Sequence, residues 1–372
     1  MKILHITPQL EPELGGIATF AARLLEGLAA RGHEQRVITA HGRLPLGDAG
    51  EYQGVALDRV PLFEALETRS PALLLRCRTR AAAVKRQFAP EIIHVHIGGP
   101  VAFLHLATSQ ESPAPLVVTV HDLPEDLASS ASLLTLLDSA SALTANSMIR
   151  RGEIARALPN TDARLQCIHP MLPDRREADG NGDRAAAPLL MTGGRLVPEK
   201  GFDTALDAMV LILRRHPRAT LVITGDGDQR EALARRIDTL GLAGAVTLAG
   251  RLDDDRLAAL RRQAWITLVP SLSESFGLVA LEAMQAGAVV VASRTGGLPE
   301  VVADGDTGVL VPPGDAAAMA DAVNALIDDD DTRTRLRLAA QARARAHFPF
   351  ERFIDAYQSL FARASGRGTR HP

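Results

Sequence analysis

Two glutamates, Glu274 and Glu282, stand in PSLSESFGLVALEAMQAG (270–287), with seven residues and a Phe-Gly pair between them. Paired carboxylates are the usual equipment for acid/base work on a glycosidic bond. On a single helix, however, eight residues would part them by about 12 Å and about 80° of rotation. Two groups flanking one scissile bond do not sit that way. Pro270 and Ser271 close an apolar run and LVALEAM has helical propensity, so a helix is expected to start near Phe276. Glu274 then lies in the loop and Glu282 more than a turn inside the helix. Each meets a different part of a long ligand and accepts hydrogen bonds from hydroxyls, which suits a ribose at one end and a sugar at the other. Gly277 lets such a ligand approach the helix N-terminus, where the dipole favours phosphate.

Cations stand in a second stretch, GGRLVPEKG (193–201), where Arg195 and Lys200 bracket a short loop at the end of a strand-like run. Arg offers forked hydrogen bonds and Lys a point charge, a pair that suits a diphosphate; the bland reading is a solvated basic loop. ELGGIATF (13–20) has adjacent glycines ahead of a helical pattern, so backbone N–H groups could approach an anion, or the turn simply needs glycine. It is not the dinucleotide fingerprint GxGxxG. His5, His94, His96 and His121 fall near the ends of strand-like runs. They are read as lying on separate strands with no carboxylate or Cys at ligand spacing, so no metal site is expected. Asp253-Asp254-Asp255 could serve a metal–diphosphate site, but reads as the solvated start of a helix carrying Leu257 and Leu260.

These residues need elements to hold them. Apolar runs at 2–7, 36–40, 91–97, 116–120, 142–146 and 165–169 read as strands, with Phe20, Leu24, Leu25 and Leu28 at helical spacing after the first and Gly32 as a stop. A polar, Gly-containing stretch then restarts the pattern at 189–193, 221–225, 246–250, 265–270, 289–293 and 308–312. Runs that are apolar throughout suit parallel strands covered on both faces. The expected fold is therefore α/β, with two Rossmann-like domains facing each other across a cleft, and ligands bound beyond the carboxyl ends of the strands. The expected boundaries are an N-terminal domain 1–173, a linker 174–188, a C-terminal domain 189–350, a helix 351–364 packing back on the N-terminal domain, and a tail 365–372.

Composition limits the function. The 372 residues suit two domains, and 46% hydrophobic with 23% charged residues is the balance of a soluble globular chain. A net charge of −3 and 3% aromatic content give no reason to expect nucleic acid. No apolar run approaches the ~20 residues of a membrane span, and no signal peptide is evident, so a cytoplasmic location is expected. Cys77 and Cys167 fit neither a metal cluster nor a redox pair.

The motifs GGIATF, IIHVH, TVHD, ANS, GRLVPEKG, the GDG of 225–227, ESFGLVALEAMQAG, ASRTGGLPEVV and DGDTGVLVPPGD together resemble the retaining glycosyltransferases of family 4 (glycosyl transferases group 1), which have the GT-B fold and use nucleotide-sugars. The resemblance covers nearly the whole chain. It implies that Arg195 and Lys200 hold the donor diphosphate in place of a metal, that Glu282 binds the ribose and that Glu274 binds a sugar hydroxyl. It further implies that the backbone around Phe276, Gly277 and Leu278 meets sugar and phosphate, that the backbone at Leu252 reads the base, and that Gly16 approaches the phosphates from the other domain. His121 matches a histidine beside the sugar at the reaction centre, and His96 is a candidate on the acceptor side. No cofactor and no metal are implied.

The acceptor half is less legible. RSPALLLRCRTRAAAVKRQF (69–88) carries Arg69, Arg76, Arg78, Arg80, Lys85 and Arg86 with no acid. It reads either as a solvated helix face or as a basic amphipathic helix in peripheral contact with anionic membrane. Two other classes stay open, a nucleotide-sugar epimerase or hydrolase on the same fold and a non-catalytic nucleotide-sugar-binding protein.

Overall fold

The computed structural model describes residues 1–13, 15–42, 44–124, 130–173 and 185–367. The chain forms two compact units, unit 1 from Met1–Pro170 with Glu351–Pro372 and unit 2 from Met171–Phe350. Of the expected linker, 174–184 lies outside the described residues, as do 368–372 of the tail. The remaining linker residues are fastened to unit 2: the Trp265 indole N–H donates to Ala185 O at 2.9 Å, and Pro188 O accepts from Thr220 N at 3.0 Å.

Unit 1 carries β1 (Lys2–Thr7), β2 (Glu34–Ala40), β3 (Ala49–Tyr52), β4 (Val55–Val60), β5 (Ile92–Ile97), β6 (Leu116–Val120), β7 (Ala142–Ala145) and β8 (Leu165–Cys167). They form one sheet in the order β3-β4-β2-β1-β5-β6-β7-β8, parallel except for the β3–β4 hairpin. That hairpin is absent from the sequence reading. β3 is mostly exposed, and Asp58 interrupts the apolar run of β4. Asp58 is 1% exposed and is held by Arg36 from β2 at 2.7 Å and by Arg80. The local signal was Gly54 alone: Gln53 and Gly54 both have positive φ, the backbone of a two-residue hairpin turn in which glycine is favoured.

The helix Gly16–Ala30 lays Phe20, Leu24, Leu25 and Leu28 against one face of this sheet. The helix Phe350–Ala364 buries Phe353, Ile354, Tyr357, Leu360 and Phe361. It belongs to unit 1, where Tyr357 reaches Thr119 and Thr144, and Arg31 pairs with Glu351 and Asp355. The basic stretch forms the helix Pro71–Phe88, and much of its charge is spoken for. Arg76 faces Asp48, Arg80 faces Asp58 and Arg86 faces Glu111. Lys85 is fully buried, donating to His105 O and Thr108 O, and burial lowers its pKa to about 8. Cys77 and Cys167 are both free thiols. Among the described residues no helix is long and apolar enough to cross a membrane.

Unit 2 carries β9 (Leu189–Gly193), β10 (Thr220–Thr224), β11 (Val246–Gly250), β12 (Ile266–Val269), β13 (Val289–Ser293) and β14 (Gly308–Val311), all parallel, in the order β11-β10-β9-β12-β13-β14. Each matches an apolar run of the sequence to within a residue or two. β12 and β13 are buried along their whole length, as both-face coverage requires. Counted within the unit the order is 3-2-1-4-5-6, the doubly wound arrangement.

Candidate functional site

In a sheet of that order the connections leave β9 and β12 toward opposite sides, and a crevice opens beyond their carboxyl ends. The sequence puts its two charged stretches at those ends. After β9 the chain runs through Arg195 and Lys200 into the helix Phe202–Arg215, and after β12 through Glu274 into the helix Leu278–Ala286. The loops are laced together. Glu199 O accepts from Leu272 N at 2.8 Å and from Ser273 N at 3.2 Å. Gly201, at φ 64°, passes so close to the second loop that a Cβ would lie 2.1 Å from Pro270 O. A third segment fixes Glu274 from behind. Gly297 N donates to Glu274 O at 3.1 Å, and a Cβ on Gly296, at φ 50°, would lie 1.6 Å from that same oxygen.

The side chains then meet. Lys200 Nζ lies 2.7 Å from Glu274 Oε2, which also accepts from Ser271 Oγ at 3.3 Å. Arg195 is half exposed and pairs within the loop with Glu199, four residues on, at 3.5 Å. Glu282, the fifth residue of its helix, pairs with Arg261 from the helix Asp254–Gln263. The two glutamates therefore serve different cations, with no geometry for shared acid/base work. The helix starts at Leu278, two residues later than expected, after Gly277 at φ 112°, and no side chain caps its first turn. Its leading N–H groups point toward the crevice end of the sheet and suit an anion. Phe276 is 2% exposed with its ring 5.9 Å from Phe348, so only its backbone can serve a ligand. Leu252 is partly buried just beyond β11, and the acidic run after it is a helix cap: Asp253 Oδ1 accepts from Arg256 N at 2.8 Å. Glu199, Ser271 and Arg261 escaped the sequence reading. Glu199 was legible at four residues from Arg195; Arg261, 21 residues from its partner on another helix, was not.

In unit 1 the candidates are Gly16, His96 and His121. Gly16 opens the helix Gly16–Ala30, again without a side-chain cap, and a Cβ there would meet nothing within 4 Å. Packing alone therefore does not require glycine at that position. His121 follows β6 and is 5% exposed. Its Nε2 lies 3.1 Å from His96 Nδ1, the two rings are stacked at 9°, and the Phe20 ring meets His121 edge-on at 4.7 Å.

The histidines are not on separate strands in the sense expected. His94 and His96 alternate on β5, and β1 pairs beside it with His5 opposite His94. Ligand atoms of His5, His94 and His96 lie within 4.8 Å of one another. Hydrogen bonds account for nearly all of these nitrogens. Gln35 Nε2 donates to Leu25 O at 2.9 Å, so its Oε1 accepts from His5 Nε2 at 3.1 Å. Burial lowers the pKa of His5 to about 3 and holds His94 well below the usual imidazole range, so each ring carries a single proton. His5 Nδ1 is then a bare acceptor for His94 Nδ1–H at 3.3 Å, and His94 Nε2 accepts from Thr119 at 2.8 Å. Thr119 in turn accepts from the Tyr357–Thr144 hydroxyl pair. The donors run one way across five strands. His96 Nε2 is buried with no hydrogen-bond partner. Five of the six ring nitrogens of His5, His94 and His96 are thus engaged within the core.

Two parallel α/β units, one of Rossmann order, place the chain in the GT-B class of glycosyltransferases. Sucrose-phosphate synthase from Thermosynechococcus elongatus superposes over 97% of this chain and 99% of its own, with a TM-score of 0.81 at 24% identity. HepE from Anabaena, solved in complex with UDP-glucose, gives 0.79 over 98% and 100% at 22% identity. The chain belongs to the group 1, family 4 glycosyltransferases. Residues 14–176 match the profile described as Glycosyltransferase Family 4, and 175–344 that described as Glycosyl transferases group 1. The D-inositol 3-phosphate glycosyltransferase of Acidothermus cellulolyticus is 31% identical over 88% of this chain and 82% of its own, and the glycogen synthase of Mycobacterium tuberculosis 27% over 100% and 97%.

Proposed function

We propose that this glycosyltransferase moves a sugar from a nucleoside diphosphate to an acceptor hydroxyl with retention of anomeric configuration and without a metal. The observation that carries the reading is the Lys200–Glu274 pair at the switch point of unit 2, with Arg195 on the same loop. A diphosphate there meets two cations and a free helix N-terminus. The bond from the anomeric carbon to the diphosphate oxygen breaks, and the acceptor oxygen bonds to that carbon on the same face. Its proton passes to a donor phosphate oxygen. Arg195 and Lys200 stabilise the charge that grows on the leaving diphosphate. Glu274 accepts from a sugar hydroxyl, Glu282 from the ribose, and the backbone at Phe276, Gly277 and Leu278 meets phosphate and sugar. Leu252 reads the base through its backbone. Gly16 and His121 of unit 1 serve the donor phosphates and the sugar, and His96 orients the His121 ring. HepE was solved with UDP-glucose, which supports a nucleotide-sugar donor.

The test is a thermal-shift panel of UDP, GDP and ADP with their sugars, run on the parent chain and on Lys200→Ala. One nucleotide series is expected to raise the melting temperature of the parent in proportion to occupancy. Lys200→Ala should lose that shift and lower turnover by about a hundredfold to a thousandfold. No shift from any of them, or near-parental turnover in Lys200→Ala, would sink the reading.

A further inference from the structure

Glu282 shares its carboxylate with a side chain that no motif points to. Arg261 Nη2 is bonded to Glu282 Oε2, and the two side chains are only 19% and 21% exposed. Arg261 stands in the last turn of Asp254–Gln263, a helix in which no residue is fully buried. With so little apolar anchorage, a partly desolvated ion pair to the neighbouring helix counts for more in its placement than it would on a well-buried one. Two residues before that helix stands Leu252, with Asp253 between them as the cap.

We infer that Arg261 is a positioning residue for nucleoside recognition, holding Glu282 Oε2 so that Oε1 is presented to the ribose hydroxyls. It also ties the helix that follows Leu252 to the helix that carries Glu282. This rests on Glu282 reading the ribose, as proposed above. An ionised carboxylate offers about four lone-pair sites on two oxygens. With one oxygen engaged by the guanidinium, the orientations open to the other oxygen are narrowed before ligand arrives. A glutamate without that partner must give up its rotamer freedom at binding, which weakens the contact it makes.

Calorimetric titration with UDP, ADP and GDP, each beside its 2′-deoxy and 3′-deoxy form, separates the possibilities. The parent chain should prefer one ribonucleotide over a deoxy form by about tenfold or more, the loss expected when a hydrogen bond to a charged group goes. In Arg261→Met that preference should fall to within about threefold, with affinity for the deoxy form unchanged, and Arg261→Lys should restore part of it. An equal loss for ribo and deoxy forms in Arg261→Met would make the pair merely structural, and an intact preference would overturn the inference outright. Should Arg261→Met fail to fold, the same ratio in Arg261→Lys decides, because an unaltered preference there with weaker binding of both forms also overturns it. Glu282→Gln separates this inference from the reading beneath it. An intact preference in that variant, or no binding of any of the three nucleotides to the parent chain, removes the ribose role of Glu282 and Arg261's with it.

Discussion

Unit 2 keeps its strands free of ionisable side chains and sets its charges at the strand ends. Arg333, stacked 4.2 Å over the Trp265 ring, is its one ionisable side chain that is nearly fully buried among the described residues. Unit 1 does the reverse: His5, His94, His96, His105 and His121 are all buried inside it, with Asp58 and Lys85. Polar groups at strand ends can meet a ligand, whereas polar groups across a sheet face meet one another. The same parallel architecture thus serves in unit 2 to present charge and in unit 1 to bury polar groups. Histidines buried in their neutral form make the fold itself sensitive to pH.

The largest effect should follow from acidification. Burial lowers His5, His105 and His121 to about 3 and puts His94 and His96 well below 6.5, so below pH 6.5 the unfolded chain takes up protons that the folded chain refuses. Stability of unit 1 is complete above pH 6.5 and falls as pH drops toward 3, by up to about 1.4 kcal/mol per pH unit for each histidine. Both tyrosines, Tyr52 and Tyr357, lie in unit 1 and the single Trp265 in unit 2, so each unit carries its own reporter. From pH 7 to 5 the near-ultraviolet tyrosine transition should move to much lower urea while the Trp265 fluorescence transition moves little. Joint movement would break the comparison.

A smaller effect tests the strand ends. Gly296→Ala puts a methyl onto Glu274 O at a positive φ, so unit 2 should lose about 1–3 kcal/mol by Trp265 fluorescence, and turnover should fall more than tenfold as Glu274 shifts. Unchanged turnover would mean that this contact does not place Glu274.

The smallest effect concerns the surface of unit 1. Among the described residues only Arg69 and Arg78 of the basic stretch lack an acidic partner apart from buried Lys85, although Leu66 and Leu75 beside them are exposed. Sedimentation with anionic vesicles should show at most weak capture at low salt, lost at physiological salt. Tight, salt-resistant capture would restore the reading of 69–88 as a membrane helix.

The strands of unit 2 were legible because each is an unbroken apolar run, and Arg195, Lys200, Glu274 and Glu282 because charge stands out at the end of such a run. The β3–β4 hairpin was not, since an internal ion pair lets Asp58 occupy a core position that pattern reading assigns to apolar residues. Nor was the histidine ladder. Whether His5 meets His94, 89 residues away, depends on which strands are neighbours and in what register, and periodicity is silent on both. Arg261 was hidden for the same reason, since its partner is chosen by helix packing.

The helix that roofs part of the ladder has a consequence for synthesis. Tyr357 and its neighbours are translated after every residue of Met171–Phe350. A ribosome therefore delivers all of unit 2 before it delivers the piece that closes unit 1, although unit 1 is begun first. Until Glu351–Ala364 emerges, the nascent N-terminal sheet lacks the Tyr357 and Phe361 rings that pack on His94 and the Tyr357 hydroxyl that meets Thr119.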